Sequence, residues 1–162
     1  MIKLVEMFAP VEGAINTPKA HLDLYHSMNL ELHNLDNQFL PDVLKTEYVD
    51  MEFDDSDSHF LIFDGDVAVG IVDFDFHIDV IYIEALYIKE EYRNKGYGTA
   101  AIKYIQEFVN AFFDFEEKRF IPISLGIRTG NVKAKGFYEH LGFKSYNENL
   151  ILESYQDNNE IR

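Results

Sequence analysis

Residues 80–112 read as an apolar strand, a short charged turn and a helix, joined through Arg93-Asn94-Lys95-Gly96-Tyr97-Gly98. Gly96 and Gly98 can take backbone angles closed to other residues, so the turn can aim several N–H groups at one point. The helix that follows brings its unpaired N–H groups and positive dipole end to the same point. This construction suits a phosphate, and diphosphate-bearing cofactors are the first candidates.

What the loop lacks narrows the choice. A Walker loop closes on Gly-Lys-Ser/Thr, whereas Gly98 is followed by Thr99 and Ala100. A dinucleotide fingerprint needs a third glycine and a downstream acid on a second strand, and neither is present. A second pattern lies downstream, Asn131-Val132-Lys133-Ala134-Lys135-Gly136-Phe137-Tyr138-Glu139-His140-Leu141-Gly142-Phe143. The two patterns, in this order and separated by one helix and one strand, resemble the GNAT family of N-acetyltransferases. The resemblance covers residues 66–143. It implies an α/β fold, a central mixed twisted sheet with helices on both faces, that moves an acetyl group from acetyl-CoA to an amine.

The chain of 162 residues is long enough for one domain with a sizeable core. We expect a single domain over residues 1–155, with an acceptor-side half at about 1–79, a cofactor-side half at about 80–155, and a disordered tail at 156–162. Apolar runs are short and broken by charge, so no segment is expected to span a membrane. The start, Met1-Ile2-Lys3-Leu4-Val5-Glu6, lacks the apolar core of a secretory signal. With no cysteine there is neither a disulfide nor a thiol nucleophile in the chain, and a reducing, cytoplasmic location is expected.

The net charge of −15 is unevenly placed. Residues 1–88 carry 3 basic against 18 acidic side chains, and residues 89–162 carry 11 of each. Within the neutral half, Lys89, Arg93 and Lys95 gather at the loop, and Arg128, Lys133 and Lys135 at the second pattern. A half that holds polyanionic coenzyme A should avoid negative charge, and a half that attracts a cation should be acidic. The acidity equally serves solubility. It disfavours a nucleic-acid partner, whose binding is dominated by phosphate contacts.

Along the chain, residues 2–8 read as a first strand. Thr17-Pro18 reads as a helix start with Thr17 as N-cap, and Leu22, Tyr25, Met28, Leu32 and Leu35 form an amphipathic stripe. A further helical turn is expected from Pro41, a solvated turn at residues 54–57, and strands at 60–63 and 67–76 about the hairpin signal Asp64-Gly65. Strand 80–88, helix 97–113, a strand at 120–127 interrupted by Pro122, helix 131–141 and a last strand at 150–154 complete the order. Neither a repeat nor a second-domain linker is visible.

The resemblance assigns roles. Leu86 and Ile88 would hold the pantetheine arm through backbone atoms, and an N–H near Leu86 or Tyr87 would meet the thioester oxygen. Arg93, Asn94, Lys95, Gly96, Tyr97, Gly98 and Thr99 would hold the pyrophosphate. Tyr138, the position matching the family's acid, would serve the leaving thiolate; read alone it is a helix tyrosine packed beside Phe137. Asn131 would bond the pantetheine amide or cap its helix, and Ala134 and Phe137 would border the cofactor. For the base we expect Glu84, a carboxylate in an otherwise apolar strand, against the alternative of a solvent-facing strand residue. Asp73, Asp75 and Asp79 are alternative acids. The six histidines show no metal-ligand spacing, and no metal is expected. The acceptor expected is a small cationic amine (a polyamine, an aminoglycoside or a basic peptide end). A homodimer is compatible with the family. The rival readings are a non-catalytic acyl-CoA-binding module and an acidic protein-interaction domain.

Overall fold

The computed structural model describes residues 2–7, 17–49, 58–77, 80–112 and 122–146, with side chains through residue 108 of the fourth segment. Strand β1 (Ile2–Met7) is followed by helix α1 (Lys19–Asn37), the β2–β3 hairpin (Ser58–Asp64 and Val67–His77) and β4 (Val80–Ile88). Helix α2 (Tyr97–Phe112), β5 (Ile123–Leu125) and α3 (Val132–His140) complete the described order. The sheet runs β1-β2-β3-β4-β5, antiparallel through β4, and β4 pairs with β5 in parallel. The expected turn at 54–57, the strand at 150–154, the tail at 156–162 and Asp79 lie outside the described residues.

Side-chain alternation divides the core into two layers. Phe60, Ile62, Val72, Phe74, Ile81 and Ile83 pack with Ala101, Ile102 and Ile105 of α2 and Tyr138 of α3. Leu61, Phe63, Ala68, Ile71 and Tyr87 pack with Tyr25 and Met28 of α1. Helices thus cover both faces, as the mixed-sheet reading requires. Two extra residues break the alternation. Ile62 faces Gly70 while Phe63 faces Ala68, leaving Val69 as an insertion in β3. Asp73 faces Ala85 while Phe74 faces Ile83, leaving Glu84 as an insertion in β4. Such bulges bend a strand and change which face later side chains take.

Element ends differ from expectation in three places. Helix α1 begins at Lys19, with Pro18 at φ −56° and ψ 137° in the N-cap position and no side-chain cap, so Thr17 is not the cap. The turn after Pro41 is a single 3-10 turn, Asp42–Leu44, because Lys45 returns to extended backbone. Among the described residues β5 has three residues rather than eight. Pro122, just before it, has no N–H to donate, yet its carbonyl still accepts from Ile81 N at 3.0 Å.

One buried polar group lies between α1 and the sheet. The Tyr25 hydroxyl donates to Asp73 Oδ2 at 2.5 Å, and His59 Nδ1 lies 3.2 Å from Asp73 Oδ1. All three side chains are nearly inaccessible, so Asp73 anchors α1 and does not meet solvent cations. Asp75 is tied to the Phe76 N–H at 2.6 Å.

Candidate active site

The site grows from one strand that loses a partner. β5 pairs with Ile81, Tyr82 and Ile83 of β4 and then stops. Among the described residues, only β3 continues beside β4 beyond Ile83, through Gly70–Asp73. Lys89 N donates to Val69 O at 3.0 Å, which fixes the phase of the antiparallel ladder. Residues 85, 87 and 89 therefore turn their N–H and C=O groups toward β3. Leu86 and Ile88 turn theirs to the opposite side, where β5 has ended. An extended ligand can pair there like an added strand. The Ile88 carbonyl on that side accepts from Arg93 Nε at 2.9 Å.

The bulge sets what else lines the opening. Ile83 and Leu86 both belong to the α2-side core, so the two residues between them, Glu84 and Ala85, share the other face, toward α1. Glu84 is exposed there. A cleft between the splayed strands is lined by Glu84 and Leu86 of β4, Leu125–Arg128, and Asn131, Ala134 and Tyr138 at α3; Leu32 and Asp36 of α1 close it. Sequence reading placed Glu84, Leu86, Asn131, Ala134 and Tyr138 in one site, and they meet in this cleft. It did not find Leu32, Asp36 or Arg128. Leu32 read only as part of the α1 stripe, and Arg128 only as part of a basic cluster.

Tyr138 is 9% exposed and packs edge-on against Phe137 and Phe143. Burial pushes its hydroxyl up from the ordinary tyrosine value to about 12. It is therefore a protonated hydrogen-bond donor at any physiological pH. Asn131 caps α3, its Oδ1 accepting from Ala134 N at 3.1 Å, which leaves its amide N–H groups for other partners.

The loop stands at the far end of β4. Asn94 (φ 61°) and Gly96 (φ 84°) both take left-handed backbone, and no atom crowds the Cβ position of Gly96. Backbone conformation, not space, is what selects glycine there. α2 starts at Tyr97, and its first orphan N–H groups, at Tyr97, Gly98 and Thr99, open toward the loop. At Gly98 the reason is contact, because a Cβ would lie 3.0 Å from Phe137 Cζ. This close approach brings α2 and α3 together beneath the cleft. Arg93 also lies over the Tyr87 ring at 5.5 Å, and Lys95 over the Tyr92 ring at 5.2 Å. Tyr87 itself faces α1: its hydroxyl donates to Glu31 at 2.6 Å. Burial, and then that carboxylate, push its pKa up to about 12.

An unpaired strand edge, a loop of left-handed backbone and an open helix N-terminus suit a long ligand with an amide-bearing arm and a diphosphate. The sequence matches the acetyltransferase (GNAT) family over residues 24–143. The chain belongs to the GNAT family. The match reaches well before residue 66, where the two sequence patterns begin to show the likeness. As a member, the chain is an acetyl-CoA-dependent N-acetyltransferase.

Solved structures share the acetyltransferase's fold at low identity. The aminoglycoside N-acetyltransferase AAC(6')-Iy in complex with CoA superposes at TM-score 0.62 and 14% identity, covering 94% of this chain and 93% of that one. An aminoglycoside 6'-N-acetyltransferase from Acinetobacter haemolyticus gives 0.56 and 14%, with 96% and 99% covered. The ribosomal-protein-S18-alanine N-acetyltransferase from Escherichia coli gives 0.56 and 15%, with 91% and 80% covered. No curated protein sequence matches the chain. Among the described residues no helix is long and apolar enough to cross a membrane, and no group of three His, Asp or Glu could hold a metal.

Proposed function

We propose that this acetyltransferase acts on a small cationic primary amine by direct attack in a ternary complex, with Glu84 as base and Tyr138 as the donor to the leaving sulfur. The observation that carries the reading is the bulge. It leaves Glu84, on the face toward α1, lining the same cleft as Tyr138 of α3, which supports a base and a donor on either side of one reacting centre.

Acetyl-CoA, when bound, supplies the acetyl group as an activated thioester. The Leu86 N–H and C=O, directed into the splay, would hold the arm and give a donor for the oxygen on which charge develops. The Tyr97–Thr99 N–H groups and the Gly96 turn would hold the diphosphate. Glu84 would first attract the ammonium, whose ordinary pKa is about 10.4. It then takes the proton as the C–N bond forms, when the nitrogen becomes far more acidic. Tyr138, at about 12, gives a proton to a thiolate of ordinary pKa ~8.5 only uphill. Its role is a hydrogen bond to the developing negative charge rather than full transfer. With no cysteine, the chain offers no thiol of its own to carry the acetyl group.

The 18 acidic against 3 basic side chains of residues 1–88 support a cationic acceptor, such as a polyamine, an aminoglycoside or a basic peptide end. The test is CoA-thiol release from acetyl-CoA with a panel of these amines and of neutral and anionic ones. Release stimulated by cationic acceptors, with KM rising with salt, supports the reading. Preference for anionic acceptors removes the charge argument, and a flat panel with tight CoA binding favours a binding module. Glu84→Gln then separates the base: its kcat/KM should fall about 10²-fold near neutrality. The deficit should shrink as pH nears the amine's own pKa. A deficit constant with pH would leave Glu84 no role in proton removal.

A further inference from the structure

The outer lip of the cleft carries a contact that the transfer chemistry does not use. Asp36 stands in the last turn of α1, a turn that holds no basic residue. The aligned peptide dipoles already make a helix C-terminus negative, even where the Leu35, Asp36 and Asn37 carbonyls accept from the turn that follows, and a carboxylate there adds to that potential instead of cancelling it. The answering cation comes from the opposite lip, where Arg128 Nε lies 3.4 Å from Asp36 Oδ2. The approach is built into the backbone. Gly130 rests on the Phe39 ring so closely that a Cβ would lie 3.0 Å from Cδ1, so the loop after β5 sits on the turn after α1. Asp36, Arg128 and Glu84 all line the one cleft.

The pair is long, and its side chains are 49% and 38% exposed. Water screens such a pair, so another cation can take the carboxylate from the guanidinium at small cost. A neutral group has nothing to gain by the exchange. We propose that Asp36 selects the acceptor: it binds a second positive charge of a di- or polycationic amine whose reacting nitrogen lies at Glu84, and Arg128 holds the place until that charge arrives. The substrate class is therefore amines with at least two cationic groups. A monoamine leaves the Asp36–Arg128 pair in place and gains nothing from it. The proposal rests on the cationic-amine reading and adds to it which residue counts the charges.

Steady-state kinetics with propylamine and a series of α,ω-diamines test it, in the parent, Asp36→Asn, Arg128→Gln and the double variant. Asp36→Asn should raise the KM of the best diamine about fivefold, with kcat and the propylamine KM unchanged. Arg128→Gln should lower the diamine KM at low salt, and that gain should vanish in the double variant. Unchanged propylamine kinetics in every variant show that the cleft is intact. Equal shifts for monoamine and diamine, or none for either, overturn the selection role while leaving the cationic-amine reading standing. Failure of the parent to acetylate any amine in the set overturns both.

Discussion

The two halves of β4 are made of similar residues and do different work. Val80–Ile83 has neighbours on both sides, β3 and β5, and its Ile81 and Ile83 are buried in the α2-side core. Among the described residues Glu84–Ile88 keeps only β3, and Leu86 and Ile88 are merely half-buried. An open strand edge ordinarily invites unwanted pairing with another chain. Here the edge lies inside a cleft walled by α3 and the residues after β5, so what can pair with it is a narrow ligand. A site of this kind needs no dedicated loop. It needs one partner strand that stops early and one inserted residue.

That contrast can be broken or sharpened by substitution. The largest effect is expected at Gly70, which faces Ile88 and so guards the β3 pairing of the second half. A Cβ there would meet Tyr87 O at 2.3 Å and Ile88 Cδ1 at 2.8 Å. Gly70→Ala should cost about 3 kcal/mol, at the upper end for overpacking, and weaken acetyl-CoA binding; thermal melting and calorimetry read both. A parent-like melting temperature would mean that the second half is not held by β3.

Tyr138→Phe comes next, with kcat expected to fall about 10²-fold and acetyl-CoA KM little changed. The same hydroxyl makes a pH statement. Its folded pKa of about 12 lies above the ordinary 10.0, so the folded chain keeps a proton that the unfolded chain releases. That stability is complete below pH 10 and is lost as pH rises toward 12. Alkaline melting curves of the parent should therefore drop more steeply across this window than those of Tyr138→Phe. Parallel curves would show that the phenol is not held neutral by burial.

Tyr87→Phe removes the bond to Glu31 but keeps the ring under Arg93, and should cost about 1.5 kcal/mol, a hydrogen bond to a charged group. If acetyl-CoA KM also rises, α1 helps to place the phosphate loop through Tyr87; an unchanged KM confines the contact to stability. Smallest is Asn131→Ala, where loss of the α3 cap should cost about 1 kcal/mol in denaturant unfolding. A much larger loss of activity than of stability would show that the Asn131 amide also touches the ligand.

The loop and α3 were legible because their chemistry is local. A Gly-x-Gly turn before a helix, and Asn131 at the head of α3, carry their reasons within a few residues. Asp73 was not legible. It alternates with apolar neighbours as a solvent-facing acid would, and only the approach of Tyr25 and His59 from distant segments makes it an internal anchor. Asp36 and Arg128 stayed hidden for the same reason, since they are 92 positions apart in the chain and meet only across the cleft. Glu84 was visible as an anomaly in an apolar run, but its place as the inserted residue of the bulge depends on register. Register is a property of two strands together. The start of α1 was misjudged by one residue because Thr17-Pro18 carries both signals, a capping side chain and a first-turn proline, and the backbone used neither.

Glu84 is both a side chain and a spacer. Replacing it edits what the cleft contains and leaves the strand's phase alone. Deleting it would restore strict alternation after Ile83 and leave every later side chain on its present face, Ala85 and Tyr87 toward α1 and Leu86 and Ile88 toward α2; what would be lost is the bulge and the bend it puts in the strand. Length and chemistry thus do separate work at this position: the extra residue supplies the bend, and its side chain supplies the carboxylate. A lineage is free to trade the carboxylate for another group and keep the bend, whereas discarding the residue would straighten β4 just where β5 leaves it.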